Sequence, residues 1–191
     1  VWRIRGQKEE YAFWSFQVLC DKHIAIVLCV IQNDLWELIK PIIPKENKSI
    51  ESIDNSVNME QYLSNWCQDL ESELHNAGRD DNSFYQKRIN YCTEFCQILP
   101  ESGEMIIHNM MRAIAESYFS LGIIDMGEKT YQTLVEKFPT SVWAYIGWGD
   151  MYYLWTLNDV IPKNYNKAKS IYEKALTVNK LDDRNEVIDR L

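Results

Sequence analysis

Cysteine and histidine side chains are the residues of this sequence whose types and spacing most resemble a metal site. Cys92 and Cys96 stand four residues apart, so a helix would place both thiols on one face. His75 or His108 could complete a zinc site with them. A second ligand-like spacing, without a matching pair elsewhere, is that of Cys20 and His23. Because small thiols at helical spacing are more typical of packing positions, we expect neither a metal nor a cofactor.

Carboxylate pairs are the candidates for acid–base catalysis, and they are Glu71 with Glu73 and Glu116 with Asp150. Catalysis of this kind also needs a nucleophile or oxyanion donors close by, and no sequence pattern near these carboxylates supplies them. The sequence contains no phosphate-binding loop, dinucleotide glycine motif, HExxH or GxSxG. We therefore predict that the chain has no catalytic residue and is not an enzyme.

Composition indicates a packed helical protein that does not bind nucleic acid. Of the 191 residues, 46% are hydrophobic and 13% aromatic, which is enough for the core of one or two domains. Only 7 glycines and 5 prolines occur, few for a β-protein with many tight turns. The formal charge of −8 repels phosphate backbones, which argues against nucleic acid as a partner.

Cysteine usage and hydropathy bear on the cellular compartment. The 5 cysteines are odd in number and lack the spacing of a disulfide framework, and this is typical of a reducing compartment. The most apolar stretch, Ile24 to Ile31, has eight residues and is too short to span a bilayer. We expect a cytoplasmic protein without a membrane partner.

The strongest pattern in the sequence is an internal repeat. One group of residues recurs 34 positions later: Met111, Ile114, Ala115 and Tyr118 match Tyr145, Trp148, Gly149 and Tyr152. Another group recurs 41 positions later: Gly127, Tyr131 and Leu134 match Ala168, Tyr172 and Ala175. One insertion of seven residues between Leu154 and Asn164 accounts for the difference. Spacings of three, four and seven place each group on one helix face, and its small residues allow close helix packing.

The repeat predicts an all-α domain over residues 59–191. We expect helix pairs over about 59–100, 108–141 and 142–182, the first of them with Arg88 where a small residue would fit. Asp183 and Glu186 have the spacing of a capping box, which predicts a capping helix over 184–191 with Val187, Ile188 and Leu191 turned inward.

Residues 1–58 do not follow the repeat. A helix is predicted through Trp36 to Lys40, ended by Pro41, and the polar stretch from Lys45 to Asn58 is predicted to be a linker. The segment from Tyr11 to Ile31 fits either a helix or, in its β-branched part, a strand.

These repeats resemble the tetratricopeptide family. The pattern large, large, small, aromatic, then small, aromatic, small, is followed here by Pro139, and Gly122 stands at the turn between the two helices. The resemblance implies an α–α superhelix of helical hairpins. The blocks YIGWGDMYYLW and YNKAKSIYEKAL are also similar to the repeat region of uncharacterised bacterial proteins that often carry a SEC-C metal-binding tail. The SEC-C motif is absent, so no metal site is implied.

The resemblance further implies a concave groove lined by the first helix of each pair. The candidate groove residues are Gln68, Glu71, Asn109, Arg112, Glu116, Phe119, Trp143, Asp150 and Tyr153. Such a groove is aromatic at one end and acidic in the middle, and would suit a peptide with Lys or Arg beside apolar anchors. Some members of the family bind the C-terminal carboxylate of an acidic peptide, and this requires an amide side chain at the position of Glu116. We therefore expect this chain not to bind acidic C-terminal peptides.

These features favour a non-enzymatic module that binds a peptide or a partner domain. The alternative is a regulatory domain of a larger bacterial protein that senses a ligand or peptide in the same groove. A spacer or oligomerisation role and, more remotely, a metal-dependent enzyme remain as further alternatives.

Overall fold

The computed structural model describes residues 33–46, 48–56, 61–153 and 162–191. Every regular element within these ranges is a helix and none is a strand, so the predicted all-α class is confirmed. The chain divides into two compact units, Val1–Ile43 and Pro44–Leu191. This boundary lies earlier than the predicted one at residue 58, because part of the predicted linker belongs to the second unit.

The described part of the first unit is short and helical. Residues 33–39 form an α-helix, and Lys40–Ile42 continue it as a 3₁₀ turn that contains Pro41. Proline suits the start of such a turn because its missing N–H has no partner there. Trp36 is buried. The predicted helix therefore lies here, whereas the segment from Tyr11 to Ile31 lies outside the described residues.

The segment predicted to be a polar linker contains a helix, α1, which spans Ile50–Ser56. The Ile50 side chain is buried, and its backbone N–H donates to Ser102 Oγ at 3.0 Å. The Glu101 N–H also donates to the Lys48 carbonyl at 2.8 Å. The linker prediction is wrong for these residues, since a short helix with one buried apolar side chain has a mostly polar sequence.

The described residues of the second unit form six longer helices, and their bounds are α2 Leu63–Gly78, α3 Ser83–Ile98, α4 Glu104–Ser120, α5 Ile124–Lys137, α6 Val142–Tyr153 and α7 Tyr165–Leu176. Each of these helices packs on the next, and α4 also packs on both α2 and α6. The leading helices of the three predicted pairs therefore lie side by side.

Two glycines allow neighbouring helices to pack closely, as the repeat predicted. A Cβ atom on Gly127 would lie 2.5 Å from the ring of Phe119, and one on Gly149 would overlap the ring of Tyr172. Phe119 and Tyr172 are buried. A glycine within a helix costs up to about 1 kcal/mol relative to alanine, and here the close packing of an aromatic ring offsets that cost.

The last helix, α8, spans Arg184–Ile188 and is shorter than the predicted capping helix. Asp183 has a left-handed backbone (φ 43°) and makes no side-chain cap bond, so the predicted capping box is absent. Val187 is buried, as predicted, but Ile188 and Leu191 are 49% and 53% exposed. Because the helix ends at Ile188, Leu191 does not continue its buried face.

Candidate functional site

A cleft of about 440 Å³ opens across the leading helices, and we call it the central cleft. Its lining residues come from α2, α3, α4 and α6: Glu71, Ser72, His75, Asn76, Arg88, Arg112, Glu116, Ser120 and Met151. Three of the predicted groove residues, Glu71, Arg112 and Glu116, are thus brought together in one place.

Arg88 forms the floor of the central cleft. Its Nε donates to Glu71 Oε1 at 2.6 Å, and a second nitrogen donates to the same oxygen. The other contacts of the guanidinium are with Glu116 Oε2 at 3.1 Å and with Ser117 Oγ at 3.2 Å. Burial alone lowers the pKa of Arg88, but the two carboxylates outweigh burial and raise it, so the side chain stays charged. One buried cation therefore joins α2, α3 and α4.

Sequence reasoning missed the role of Arg88. The repeat pattern has a small residue at this position. The arginine was therefore interpreted only as a departure of the first helix pair from the repeat pattern. One feature of the sequence could have indicated this role: a charged residue stands at a helix position that the repeat pattern places in the core. A long cation at such a position needs a buried counter-charge, and carboxylates on the neighbouring helices supply it.

Arg112 faces the central cleft with a side chain that is 38% exposed. Its Nε lies 3.6 Å from Glu116 Oε1, which is too long for a hydrogen bond. That Nε is itself enclosed and makes no hydrogen bond within the described part of the chain. Two arginines thus balance the two glutamates, and the predicted acidic middle of the groove is corrected to a neutral site of mixed charge.

Burial is the main cause that lowers the pKa of both His75 and His108, and the positive charge of Arg112 acts in the same direction on both. His75 lines the central cleft. His108 instead lies 3.0 Å from Ser141 Oγ through its Nε2, and packs against the ring of Phe138. Neither Ser141 nor His108 lines the central cleft, so their contact positions the turn before α6.

Three other predicted groove residues lie on α2 and α4. The Asn109 amide donates to Gln68 Oε1 at 3.4 Å and so links the two helices beside the cleft. Phe119 is 1% exposed and packs on the rings of Tyr131 and Tyr152. Phe119 therefore belongs to the hydrophobic core and offers no surface to a ligand.

The remaining predicted groove residues lie on α6, away from the central cleft. Asp150 is buried, accepts a hydrogen bond from Tyr172 OH at 2.6 Å, and lies 3.3 Å from Arg190 Nε. Its carboxylate is thus already paired. Trp143 is 44% exposed, and Tyr153, 41% exposed, lines a separate cleft of about 250 Å³.

Cys92 and Cys96, the cysteines considered as metal ligands, are buried and partly buried, respectively. Cys92 is fully buried, and burial raises the pKa of its thiol well above the ordinary value. Burial likewise raises the pKa of Cys96 to about 11. Within the described ranges, no three histidine, cysteine or carboxylate side chains come together in a way that could hold a metal ion.

Comparison of the chain with protein-family models, with curated proteins and with solved structures found no match. The resemblance to tetratricopeptide repeats therefore remains a prediction from the residues themselves. Among the described residues, no helix has both the length and the apolar character needed to cross a membrane.

Proposed function

We propose that this chain is a non-catalytic interaction module with tetratricopeptide-like architecture, whose central cleft holds a segment of a protein partner. The observation that carries the proposal is the arrangement of the leading helices. Helices α2, α4 and α6 lie side by side and all contribute side chains to one cleft. A peptide lying across them would contact three successive repeats, which is how a superhelix of helical hairpins binds a ligand.

The chemistry of the cleft suits a peptide backbone. Ser72, Asn76 and Ser120 supply hydroxyl and amide groups that can both donate and accept hydrogen bonds. Met151 adds an apolar, adaptable contact at the α6 side. This combination satisfies backbone N–H and C=O groups while leaving room for one apolar side chain.

Because the carboxylates of the predicted groove are paired with arginines, the partner that we propose differs from the basic peptide expected from the sequence. A basic peptide was expected because Glu71, Glu116 and Asp150 would attract it. Each of these carboxylates already has a cationic neighbour, Arg88 or Arg190. We therefore propose a partner segment that combines polar contacts with an apolar anchor and needs no net positive charge.

A regulatory role is the second candidate function. The volume of the central cleft, about 440 Å³, lies in the range of about 300–1,000 Å³ that is typical of small-molecule sites. A domain that senses a small polar ligand would use the same residues. For either function we place the chain in the cytoplasm, since its buried free thiols suit a reducing compartment.

Selection of binders from a peptide-display library, with the whole chain as bait, tests the proposal. Selected peptides should bind the wild type and lose affinity at least about tenfold for Ser72→Trp, which places a large ring at the cleft. The matched control is Ser170→Trp, at an exposed position of α7. Equal loss in both variants, or no loss in Ser72→Trp, would contradict binding in the central cleft.

A further inference from the structure

The carboxylates of Glu71 and Glu116 in the central cleft each bond Arg88 through one oxygen only. Glu71 is bonded through Oε1, and Glu116 is bonded through Oε2. No hydrogen bond to Glu71 Oε2 or Glu116 Oε1 forms among the described residues, and Arg112 lies 3.6 Å from the latter oxygen. Both side chains are partly exposed at the cleft, at 14% and 17%. The cleft therefore presents two anionic acceptors to whatever enters it.

Arg112 supplies the opposite charge in the same cleft. Its side chain, 38% exposed, is more exposed than those of Arg88, Glu71 and Glu116, and its enclosed Nε makes no hydrogen bond among the described residues. The contact with Glu116 joins residues four apart on one helix at 3.6 Å, longer than a hydrogen bond, and ion pairs at this spacing contribute little. A ligand can replace this contact at small cost, which leaves Arg112 able to bind an anion.

We propose that the central cleft recognises a group in which a cation stands next to a carboxylate. The cation, an ammonium or guanidinium, binds the unused oxygens of Glu71 and Glu116. The carboxylate binds Arg112, with hydroxyl and amide groups of Ser72 and Asn76 nearby. This inference rests on the proposed function, because it assumes that the central cleft is the ligand site.

Two sources offer this chemistry, a free α-amino acid and a protein segment in which a basic residue adjoins an acidic one. Either ligand is neutral as a whole, in keeping with the balance of two glutamates against two arginines in the cleft. A ligand with a single charge would leave either the glutamates or Arg112 without an oppositely charged partner. An unpaired charge in a partly enclosed site is unfavourable.

Calorimetric titration of the whole chain with two matched sets of probes distinguishes these sources. The first set is L-leucine, 3-methylbutylamine without the carboxylate, and N-acetyl-L-leucine without the ammonium. The second set is the capped peptide acetyl-Leu-Lys-Glu-Leu-amide with two analogues, in which glutamine replaces either the lysine or the glutamate. In at least one set, the probe with both charges should bind about tenfold or more tighter than both of its analogues.

Arg112→Gln should remove that advantage, and the matched control Arg79→Gln, at an exposed position outside the cleft, should retain it. Absence of the advantage in both sets, including absence of any binding, would overturn the inference, as would an advantage that persists in Arg112→Gln. If display-selected peptides still bind the wild type but not Ser72→Trp, the inference alone fails and the proposed function stands.

Discussion

Arg88 Nη2 lies 3.1 Å from Glu116 Oε2, and this ion pair ties the second helix of the first pair to the first helix of the next. The arginine side chain is 5% exposed. It also bonds Glu71 on α2, so a single buried guanidinium fixes the relative positions of three helices. The same contact fixes the carboxylates that face the central cleft, so the stability of the packing and the chemistry of the site depend on one residue.

Replacing Arg88 by methionine should destabilise the fold. Removing one partner of a buried ion pair costs about 3–5 kcal/mol, and we expect about 3 kcal/mol because water in the cleft can reach Glu71 and Glu116. Urea denaturation followed by circular dichroism measures the change. Arg79→Met, the same change at an exposed position, should stay within about 0.5 kcal/mol. Adding Glu71→Gln and Glu116→Gln to Arg88→Met should recover part of the loss, and no recovery would contradict the ion-pair explanation.

Gly149→Ala should destabilise the fold far more than Gly147→Ala, although both glycines lie in α6. The added methyl group at residue 149 would overlap the ring of Tyr172, and overpacking of this kind costs about 1–3 kcal/mol. At residue 147 the methyl group would lie 3.2 Å from the Tyr131 hydroxyl, and the gain in helix propensity of about 1 kcal/mol offsets that contact. Thermal unfolding of the two variants decides the matter, and equal melting temperatures would contradict the close packing at Gly149.

Glu128 makes the stability of the repeats sensitive to acid. It accepts hydrogen bonds from Trp148 Nε1 at 2.7 Å and Tyr152 OH at 2.6 Å, and Lys167 Nζ lies 3.0 Å away. Burial alone raises the pKa of Glu128, but the bonds from Tyr152, Trp148 and Lys167 outweigh burial and lower it below its ordinary 4.5. A carboxyl whose pKa is lower in the folded state stabilises the fold above its unfolded pKa and loses that contribution as pH falls.

The free energy of unfolding should therefore decrease between about pH 6 and about pH 3, and Glu128→Gln should make that decrease smaller. The control is Glu136→Gln, on the exposed face of the same helix, which should leave the decrease as it is in the wild type. Urea titrations at both pH values measure it. An identical pH dependence for wild type and Glu128→Gln would show that the network does not depend on the charge.

The described cysteines should resist thiol reagents while the protein is folded. Burial raises the pKa of Cys67 to about 12 and that of Cys92 well above its ordinary value, so neither forms the reactive thiolate. We expect Cys96, which is less buried, to react slowly and Cys67 and Cys92 not at all at about pH 8. Peptide mapping by mass spectrometry after labelling, with and without urea, measures this. Labelling of Cys92 at the same rate in both conditions would contradict its burial.

The helical class and the close packing at Gly127 and Gly149 followed from the repeat, because short-range spacing alone decides which residues share a helix face. The helix α1 did not follow from the sequence. Its place in the second unit depends on backbone hydrogen bonds with residues about fifty positions away, at Ser102 and Glu101. Contacts over this distance along the chain cannot be predicted from the residues of the helix and its immediate neighbours.

The site was predictable only in part for the same reason. Glu71, Arg112 and Glu116 were placed together by the repeat positions, and they do line one cleft. The charges of Glu71 and Glu116 are balanced by Arg88, which lies on a different helix, α3. Asp150 was predicted on the groove, yet it is buried, because Tyr172 of α7 and Arg190 in the turn after α8 both bond its carboxylate. Charge pairing across helices is a tertiary property that spacing along one helix does not encode.

Methyl NMR of methionine tests the central claim, that the cleft across the leading helices binds a partner segment. Met151 lines that cleft, whereas Met105 and Met126 are exposed elsewhere, at 72% and 42%. With ¹³C-methyl methionine in the chain and Met151→Leu for assignment, a display-selected peptide should shift the Met151 signal in proportion to saturation and leave Met105 and Met126 unchanged. Shifts at Met105 or Met126 with an unchanged Met151 signal would contradict the account.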